Sequence, residues 1–509
     1  MRRMIALALA LTMIGQVGVA RAQADQKPAA APAAAKEAGD PAIAPPTVSI
    51  TRSSGTFGGV TVAYKATAGE TYLKDKDGKP LAAIFSTSYV KEGPRDPNRP
   101  VTFLFNGGPG SGSVWLHMGA FGPKRVVIPS DARDDGAPPY RLIDNAASLF
   151  DVTDIVFIDP VGTGFSRALG KTDPNDYYGV TKDARSIAQF IRLWLGENGR
   201  WNSPKYLGGE SYGTTRSAAV VNELEGAYND VSLNGIILIS TILDFAMRAE
   251  TPGNEMAYVV TVPSMAAAAQ FHGKVPDAPD VATFVEQARQ FAIGPYVTAL
   301  LKGNGLKGDE RAAIRRQLAH FTGLSEAYLE RADLRVSSSR FYKELLRDRG
   351  LTIGRLDARY TGKDYDSAGE RPDNDPSFYA IDGSYTAAVN SYIRDTLKFS
   401  PERQYVTIGS VGRWDWRLEG NGRDGEVYVK VAPYIGTAMR ENAGLRVFVG
   451  QGYYDFATPF FGAELSLNRT GMPSDRITFH YYGAGHMMYV RDADLDKLSG
   501  DIRAFIKAR

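Results

Sequence analysis

Short apolar runs alternate with amphipathic stretches along most of this chain. Several runs, such as IVFI and IILI, are almost wholly apolar and have the length of a strand. Continuous apolar character is typical of parallel strands that are covered on both faces. The pattern therefore predicts an α/β protein with a mostly parallel central sheet. The predicted buried strands are 101–105, 154–158, 205–208, 235–240, 445–450 and 477–482.

Residues 56–90 show a different pattern, in which short β-prone runs are separated by turns. The dipeptide Asp77-Gly78 lies between the runs 71–74 and 81–87, which is a strong signal for a hairpin. We therefore expect antiparallel strands at one edge of the sheet.

Between residues 252 and 399 helical periodicity replaces the strand pattern. Asp280 and Asp309 are predicted to cap helices there, as Thr181 is earlier in the chain. Strands resume after residue 399, so we favour a helical cap inserted into one α/β core over a separate domain in series. The predicted core segments are 48–251 and 400–509.

The first 47 residues are predicted to lie outside the folded core. Residues 1–22 have a basic start, an apolar stretch and an Ala20-Arg21-Ala22 cleavage site, as in a secretory signal peptide. A retained membrane anchor is the alternative, but glycine and glutamine interrupt an already short stretch. The Ala/Pro-rich residues 23–47 are predicted to form a disordered linker. We therefore expect an exported protein, periplasmic or secreted.

Composition excludes several classes of function. The 59 Lys+Arg residues nearly balance the 57 Asp+Glu residues, which gives no electrostatic case for nucleic acid or an anionic membrane as partner. No later segment is apolar for the roughly 20 residues of a spanning helix, so we expect no membrane insertion of the mature chain. The absence of cysteine excludes disulfides, thiolate metal sites and a cysteine nucleophile. Only five histidines can serve histidine-dependent chemistry.

The pentapeptide G-E-S-Y-G at 209–213 follows a predicted strand and precedes a helix-like segment. This context is that of a nucleophile elbow, which exposes a serine at the carboxyl edge of the sheet. The alternative is an ordinary strand–helix turn with a capping serine. We interpret Ser211 as the candidate nucleophile.

A serine nucleophile needs a base and an acid, which in this architecture follow in the order Ser, Asp or Glu, His. His486 lies in a glycine-rich loop after the last predicted strand, whereas His480 lies within that strand. Asp455 follows the preceding strand, whereas Asp475 precedes the last one. We therefore favour Asp455 and His486, and assign no special setting to His117, His272 or His320.

A glycine-rich loop, N-G-G-P-G-S-G at 106–112, follows the predicted strand 101–105. It lacks the G-K-[ST] ending of a phosphate-binding loop. Its backbone N–H groups are better suited to an oxyanion, with a second donor from Tyr212, the residue after the nucleophile.

The blocks at 106–110, 157–166, 209–213, 455–456 and 483–487 together resemble the serine carboxypeptidase family. The resemblance implies an α/β-hydrolase fold with a helical insertion, release of C-terminal residues from peptides, and no metal or cofactor. It implies a triad of Ser211, Asp455 and His486, and an oxyanion hole formed by Gly108 and Tyr212. It also implies that Asn106, Gly107 and Glu210 hold the terminal carboxylate of the substrate.

The chain departs from the family pattern at Leu104, where tryptophan is usual, and at Ala120, where a second glutamate is usual. Without that second carboxyl we expect Glu210 to ionise more easily, with weaker C-terminal selectivity or a shifted pH optimum. The predicted function is an exported serine peptidase of carboxypeptidase type that acts on peptides or proteins. The alternatives are an esterase or acyltransferase on the same triad, or a non-catalytic binding protein.

Overall fold

The computed structural model describes residues 43–225, 230–418 and 428–508. The predicted signal peptide, and the predicted linker up to residue 42, lie outside the described residues. The strands are β1 Val48–Phe57, β2 Val60–Lys74, β3 Pro80–Lys91, β4 Val101–Phe105, β5 Lys124–Val126, β6 Leu142–Asp144, β7 Asp154–Asp159, β8 Arg167–Ala168, β9 Lys205–Glu210, β10 Gly235–Ile239, β11 Thr352–Ile353, β12 Thr361–Gly362, β13 Arg446–Gly452 and β14 Ile477–Tyr482.

One ten-stranded sheet forms the centre, in the order β1-β2-β3-β7-β4-β9-β10-β13-β14, with β8 paired to β3. The pairs from β1 to β7 are antiparallel, and all pairs from β7 to β14 are parallel. A turn at Asp77-Gly78 joins β2 to β3. The predicted parallel sheet with an antiparallel edge is therefore confirmed.

Helices cover both faces of the sheet, and several more lie between β10 and β13. The helices are α1 Val180–Glu197, α2 Tyr212–Leu224, α3 Met256–Val259, α4 Val262–Phe271, α5 Val281–Phe291, α6 Val297–Lys302, α7 Gly308–Thr322, α8 Glu326–Arg331, α9 Ser338–Glu344, α10 Pro376–Tyr379, α11 Asp382–Ser391, α12 Ala432–Glu441, α13 Phe460–Leu467 and α14 Asp492–Lys507.

Of the three predicted helix caps, one is confirmed. Asp280 caps α5 by accepting hydrogen bonds from the backbone N–H groups of the second and third helical residues. The predictions for Thr181 and Asp309 are wrong, because both residues lie inside the first turn of their helices, α1 and α7. Neither residue is therefore the N-cap, although the Asp309 carboxylate suits the positive end of the helix dipole.

Each face of the sheet has its own apolar core. Phe103 and Ile236 pack against α1 and α2 on one face, while Tyr206 and Ile237 belong to the cluster that includes α14 on the other. A third cluster, formed by the helices between β10 and β11, also contains Phe456 from the segment after β13. These helices therefore pack on the carboxyl edge of the sheet, and the cap boundaries at 252 and 399 stay a prediction.

None of the helices in the described part of the chain combines the length and the apolar character needed to cross a bilayer.

Candidate active site

Ser211 occupies a sharp turn between β9 and α2. Its backbone has φ 61° and ψ −131°, a conformation that costs a non-glycine residue on the order of 1–3 kcal/mol. Its N–H donates to the carbonyl of Ile239 in β10 at 3.0 Å, and its carbonyl accepts from Thr214 N at 2.8 Å. The sheet and the helix together hold the strained turn, which has the geometry of a nucleophile elbow.

The chain around Ser211 is packed so tightly that only glycine fits at two positions beside it. A Cβ on Gly209 would overlap the carbonyl oxygen of Gly213. A Cβ on Gly107 would lie 2.5 Å from the backbone nitrogen of Tyr212. The glycine-rich loop therefore lies in direct backbone contact with the start of α2, so both predicted oxyanion donors are close to Ser211.

His486 and Asp455 are brought together by the loops after β14 and β13. The Nδ1 atom of His486 lies 2.8 Å from Oδ2 of Asp455, and both side chains are buried. Burial lowers the pKa of His486, but the charge and the hydrogen bond of Asp455, together with the charge of Glu210, outweigh it, and the net pKa is raised. Because Nδ1 faces the carboxylate, Nε2 is left free to accept a proton.

Thr458 is hydrogen-bonded to the carboxylate of Asp455, and sequence reasoning did not single it out. Its hydroxyl donates to Oδ2 of Asp455 at 2.7 Å, and Oδ1 accepts the N–H groups of Ala457 at 2.7 Å and Thr458 at 3.0 Å. The threonine three residues after the acid was the available signal. Donors thus surround the Asp455 carboxylate and hold it towards His486.

The alternative residues lie elsewhere. His480 stacks on Phe448, with ring centroids 4.6 Å apart, and pairs with Asp501 at 3.2 Å. Asp475 lies in the turn before β14, at the opposite edge from the site. His117, which is not favoured as the base, lies in the short helical turn Leu116–Phe121. It is buried with Nε2 2.6 Å from the Tyr89 hydroxyl, and burial lowers its pKa to about 3.

Ser211 and His486 line one cleft of about 260 Å³. Asn106, Gly108 and Glu210 line the same cleft. Among the described residues no hydrogen bond joins Ser211 Oγ to His486, and such contacts are often loose in a free enzyme. The apolar part of the wall is formed by Trp115, Leu356, Phe378, Ile408 and Met487.

Glu210 is buried directly before Ser211 and is held by two donors. Oε1 accepts from Asn106 Nδ2 at 3.0 Å, and Oε2 accepts from the Tyr489 hydroxyl at 2.6 Å. Burial raises the pKa of Glu210 to about 7, although His486 and both donors act in the opposite direction. Burial, with a smaller contribution from the Asp455 charge, therefore disfavours ionisation of Glu210 even though Ala120 supplies no second carboxyl. That Glu210 ionises more easily than a paired carboxyl would stays a prediction.

Tyr489 was missed because nothing in its local sequence distinguishes it from a core tyrosine. Ala120 is itself buried in the short helical turn Leu116–Phe121, and Leu104 is buried in β4. Besides Asn106, the hydrogen-bond partner of Glu210 is therefore a phenol from the segment after His486.

A buried ion pair between α1 and α2 is hydrogen-bonded to the glycine-rich loop. Arg216 of α2 is fully buried, with Nε 2.6 Å from Oδ2 of Asp183 in α1. Its Nη1 donates to the carbonyl oxygen of Asn106 at 2.5 Å. The guanidinium thus links α1, α2 and the loop after β4. The available signal was an arginine in the first turns of α2, among residues that are all buried.

These features define the class of protein. A mostly parallel sheet, a strained serine after a central strand and an acid–histidine pair after the last two strands belong to the α/β-hydrolase fold.

Comparison with known proteins then confirms the resemblance to serine carboxypeptidases. Residues 82–273 match the model of the serine carboxypeptidase family. Serine carboxypeptidase-like 13 of Arabidopsis thaliana is 27% identical over 158 residues, which are 31% of this chain and 35% of that protein. The chain thus matches about a third of the length of this curated relative.

The fold is similar to that of Kex1(Δ)p, a prohormone-processing carboxypeptidase from Saccharomyces cerevisiae. The TM-score is 0.52 at 15% sequence identity, over 87% of this chain and 91% of that chain. At this identity the likeness concerns the fold alone.

Proposed function

We propose that this protein is an exported serine-type carboxypeptidase in which Ser211, His486 and Asp455 form the catalytic triad. The observation that carries the proposal is the 2.8 Å Asp455–His486 contact in the cleft that the strained Ser211 also lines. The match of residues 82–273 to the serine carboxypeptidase family supports the substrate class, peptides or proteins.

The chemistry follows from the roles of the three side chains. Ser211 Oγ attacks the scissile carbonyl carbon while His486 Nε2 takes the hydroxyl proton. The C–N bond then breaks, the proton passes from His486 to the leaving amine, and the acyl group stays on Ser211. Water attacks this ester with His486 again as the base, which releases the shortened peptide. Asp455 holds the imidazole in position and stabilises the imidazolium.

The developing oxyanion is assigned to the backbone N–H groups of Gly108 and Tyr212. Tyr212 is the first residue of α2, so its N–H has no acceptor within the helix and is available to a ligand. Gly108 lines the cleft in the loop that touches the start of α2. Loss of one such donor typically costs about 3 kcal/mol of transition-state stabilisation.

The terminal carboxylate of the peptide is assigned to Asn106, Gly107 and Glu210. With a pKa of about 7, Glu210 is largely protonated below neutral pH, where a carboxylic acid can donate a hydrogen bond to the substrate. Above neutral pH its charge repels a carboxylate. C-terminal selectivity is therefore expected to weaken as pH rises through neutrality.

The test is digestion of a peptide library, read by mass spectrometry, with wild type, Ser211→Ala and Ser367→Ala. Ser367 is exposed and outside the cleft, so its variant controls for loss of a serine hydroxyl. Stepwise C-terminal trimming by wild type and Ser367→Ala, but not by Ser211→Ala, is expected. Trimming that persists in Ser211→Ala would refute the triad, and cuts confined to internal bonds would refute the carboxypeptidase assignment.

Labelling by an uncharged fluorophosphonate tests the nucleophile independently of the substrate. Wild type is expected to label and Ser211→Ala is not. Turnover of small esters without peptide trimming would support the esterase alternative instead. Export is tested by the N-terminus of the protein recovered from its native cell, since cleavage after Ala22 is expected.

A further inference from the structure

Two arginines, Arg248 and Arg355, line the cleft, and neither has a role in the proposed catalytic mechanism. Arg248 ends the short helical turn that follows β10, and Arg355 lies between β11 and β12. Both residues line the cleft together with Ser211 and His486, and both are accessible to solvent. The cleft thus contains two permanent positive charges, because a guanidinium stays protonated in proteins.

The nearby carboxylates are already engaged by other donors. Asp375 Oδ2 lies 3.8 Å from Nε of Arg355, beyond hydrogen-bond distance. Asp375 instead accepts from the backbone N–H groups of Arg355 at 2.9 Å and Leu356 at 3.2 Å. Among the described residues, neither cleft arginine donates a side-chain hydrogen bond to a carboxylate.

The carboxylate nearest to Arg248 in the chain is also hydrogen-bonded to another residue. Glu250, two residues further on, accepts from both the N–H and the hydroxyl of Ser338 at 2.7 Å. Desolvation by the surrounding walls of the cleft, followed by the like charge of Arg355, lowers the pKa of Arg248, although part of its side chain stays exposed. The charges of Asp455 and Glu250 act in the opposite direction on Arg248, and Asp375 partly offsets the charge of Arg355 at 3.8 Å. Neither guanidinium is hydrogen-bonded to these carboxylates, so an anionic ligand can still make direct contacts and relieve the repulsion between the two arginines.

The backbone around Arg355 is hydrogen-bonded to the segments that carry the acid and the histidine of the proposed triad. Its carbonyl oxygen accepts the N–H of Phe456 at 3.1 Å, one residue after Asp455. The carbonyl of Leu356 accepts the N–H of His486 at 2.6 Å. Backbone hydrogen bonds thus tie the segment that carries this guanidinium to both loops of the acid–histidine pair.

The arginines lie on the opposite side of Ser211 from the proposed site for the terminal carboxylate. In the sheet order β4-β9-β10-β13, Asn106 follows β4, Ser211 follows β9, and Arg248 follows β10. Arg355 is tied to the segment after β13. The cleft therefore offers a second place for a negative charge, separate from that of Asn106 and Glu210.

We propose that Arg248 and Arg355 bind a side-chain carboxylate of the substrate, so that Asp or Glu beside the scissile bond is preferred. This inference rests on the proposed peptidase function. A bidentate guanidinium–carboxylate contact provides both strength and geometric selectivity.

The experiment compares N-acylated dipeptides with Glu or Gln at each of the two positions, with a free or amidated C-terminus. Wild type is expected to prefer Glu over Gln at one position by at least about tenfold in kcat/KM. Arg248→Gln and Arg355→Gln should each reduce this ratio several-fold. Arg316→Gln, at an exposed position outside the cleft, should leave the ratio unchanged.

Charge reversal provides a second arm. Arg248→Glu should shift the preference from Glu towards Lys at the same position. Equal Glu/Gln ratios in wild type and in both glutamine variants would overturn the proposal. It would also be overturned if the variants lost only the discrimination between free and amidated C-termini, since the arginines would then bind the terminal carboxylate.

Failure of this proposal can be distinguished from failure of the proposed function. Arg248→Gln and Arg355→Gln should still be labelled by the uncharged fluorophosphonate, and loss of labelling would indicate a merely structural role. The affinities of the Glu and Gln peptides for Ser211→Ala, measured by calorimetry, report on the subsite without catalysis. Tighter binding of Glu there supports the arginine subsite even if wild type cleaves nothing, and equal binding overturns it.

Discussion

Glu210→Gln is expected to make the folded protein more stable at alkaline pH, by an amount that the burial of the carboxyl determines. Gln keeps the shape of the side chain, and its amide oxygen can still accept from Asn106 Nδ2, as Oε1 of Glu210 does at 3.0 Å. Its amide nitrogen can donate to the Tyr489 hydroxyl, which now donates to Oε2. The substitution thus removes a titratable proton while both hydrogen bonds can be maintained.

The magnitude follows from the raised pKa. Burial moves the pKa of Glu210 from 4.5 to about 7, so between these pH values the folded state holds a proton that the unfolded state has released. The free energy of unfolding of wild type therefore falls as pH rises through this window. Each pH unit contributes about 1.4 kcal/mol, so the full effect above about pH 7 is about 3 kcal/mol. The Glu210→Gln variant carries no such penalty, because its amide does not ionise.

The assay is urea unfolding of wild type, Glu210→Gln and Glu197→Gln from about pH 4.5 to about pH 8.5, a range that brackets both pKa values. Glu197 is exposed at the end of α1, so its variant should follow wild type at every pH. The stability difference between Glu210→Gln and wild type should increase with pH and level off above neutrality. A difference that stays constant across this range would refute the assignment of a desolvated, proton-binding Glu210.

Three further substitutions test the supports of the site. Gly107→Ala places a Cβ against the backbone at Tyr212 and should displace the loop, which lowers kcat/KM by about a hundredfold. The circular dichroism spectrum should stay unchanged, and a kcat/KM near that of wild type would contradict the close approach. Arg216→Met leaves Asp183 buried without its partner and should lower the free energy of unfolding in urea by about 3–5 kcal/mol. Adding Asp183→Asn should restore part of the lost stability, because it removes the unpaired charge. Tyr489→Phe removes a hydrogen-bond donor that lowers the pKa of Glu210, so the pKa of Glu210 should rise. The alkaline limb of the pH profile of kcat/KM should then move to higher pH, and a shift to lower pH would be inconsistent with this role.

Features that depend on local sequence were predictable in this chain. The apolar runs indicated the strands of the parallel sheet, since burial on both faces leaves a continuous hydrophobic stretch. The strand, glycine and helix pattern around Ser211 indicated the elbow, because only glycine tolerates the close backbone contacts on either side. Thr181 and Asp309 were misplaced as caps because capping depends on where the chain turns, which residue preferences locate only within one or two positions.

The sequence by itself thus determined the order of strands and helices, the elbow at Ser211 and the candidates Asp455 and His486. Only the tertiary structure decided what surrounds them. The pKa of Glu210, the hydroxyl of Tyr489 beside it and the two arginines facing the cleft depend on segments far apart in the chain. Periodicity and turn preferences are properties of neighbouring residues, whereas desolvation and charge interactions depend on which distant groups the fold brings together.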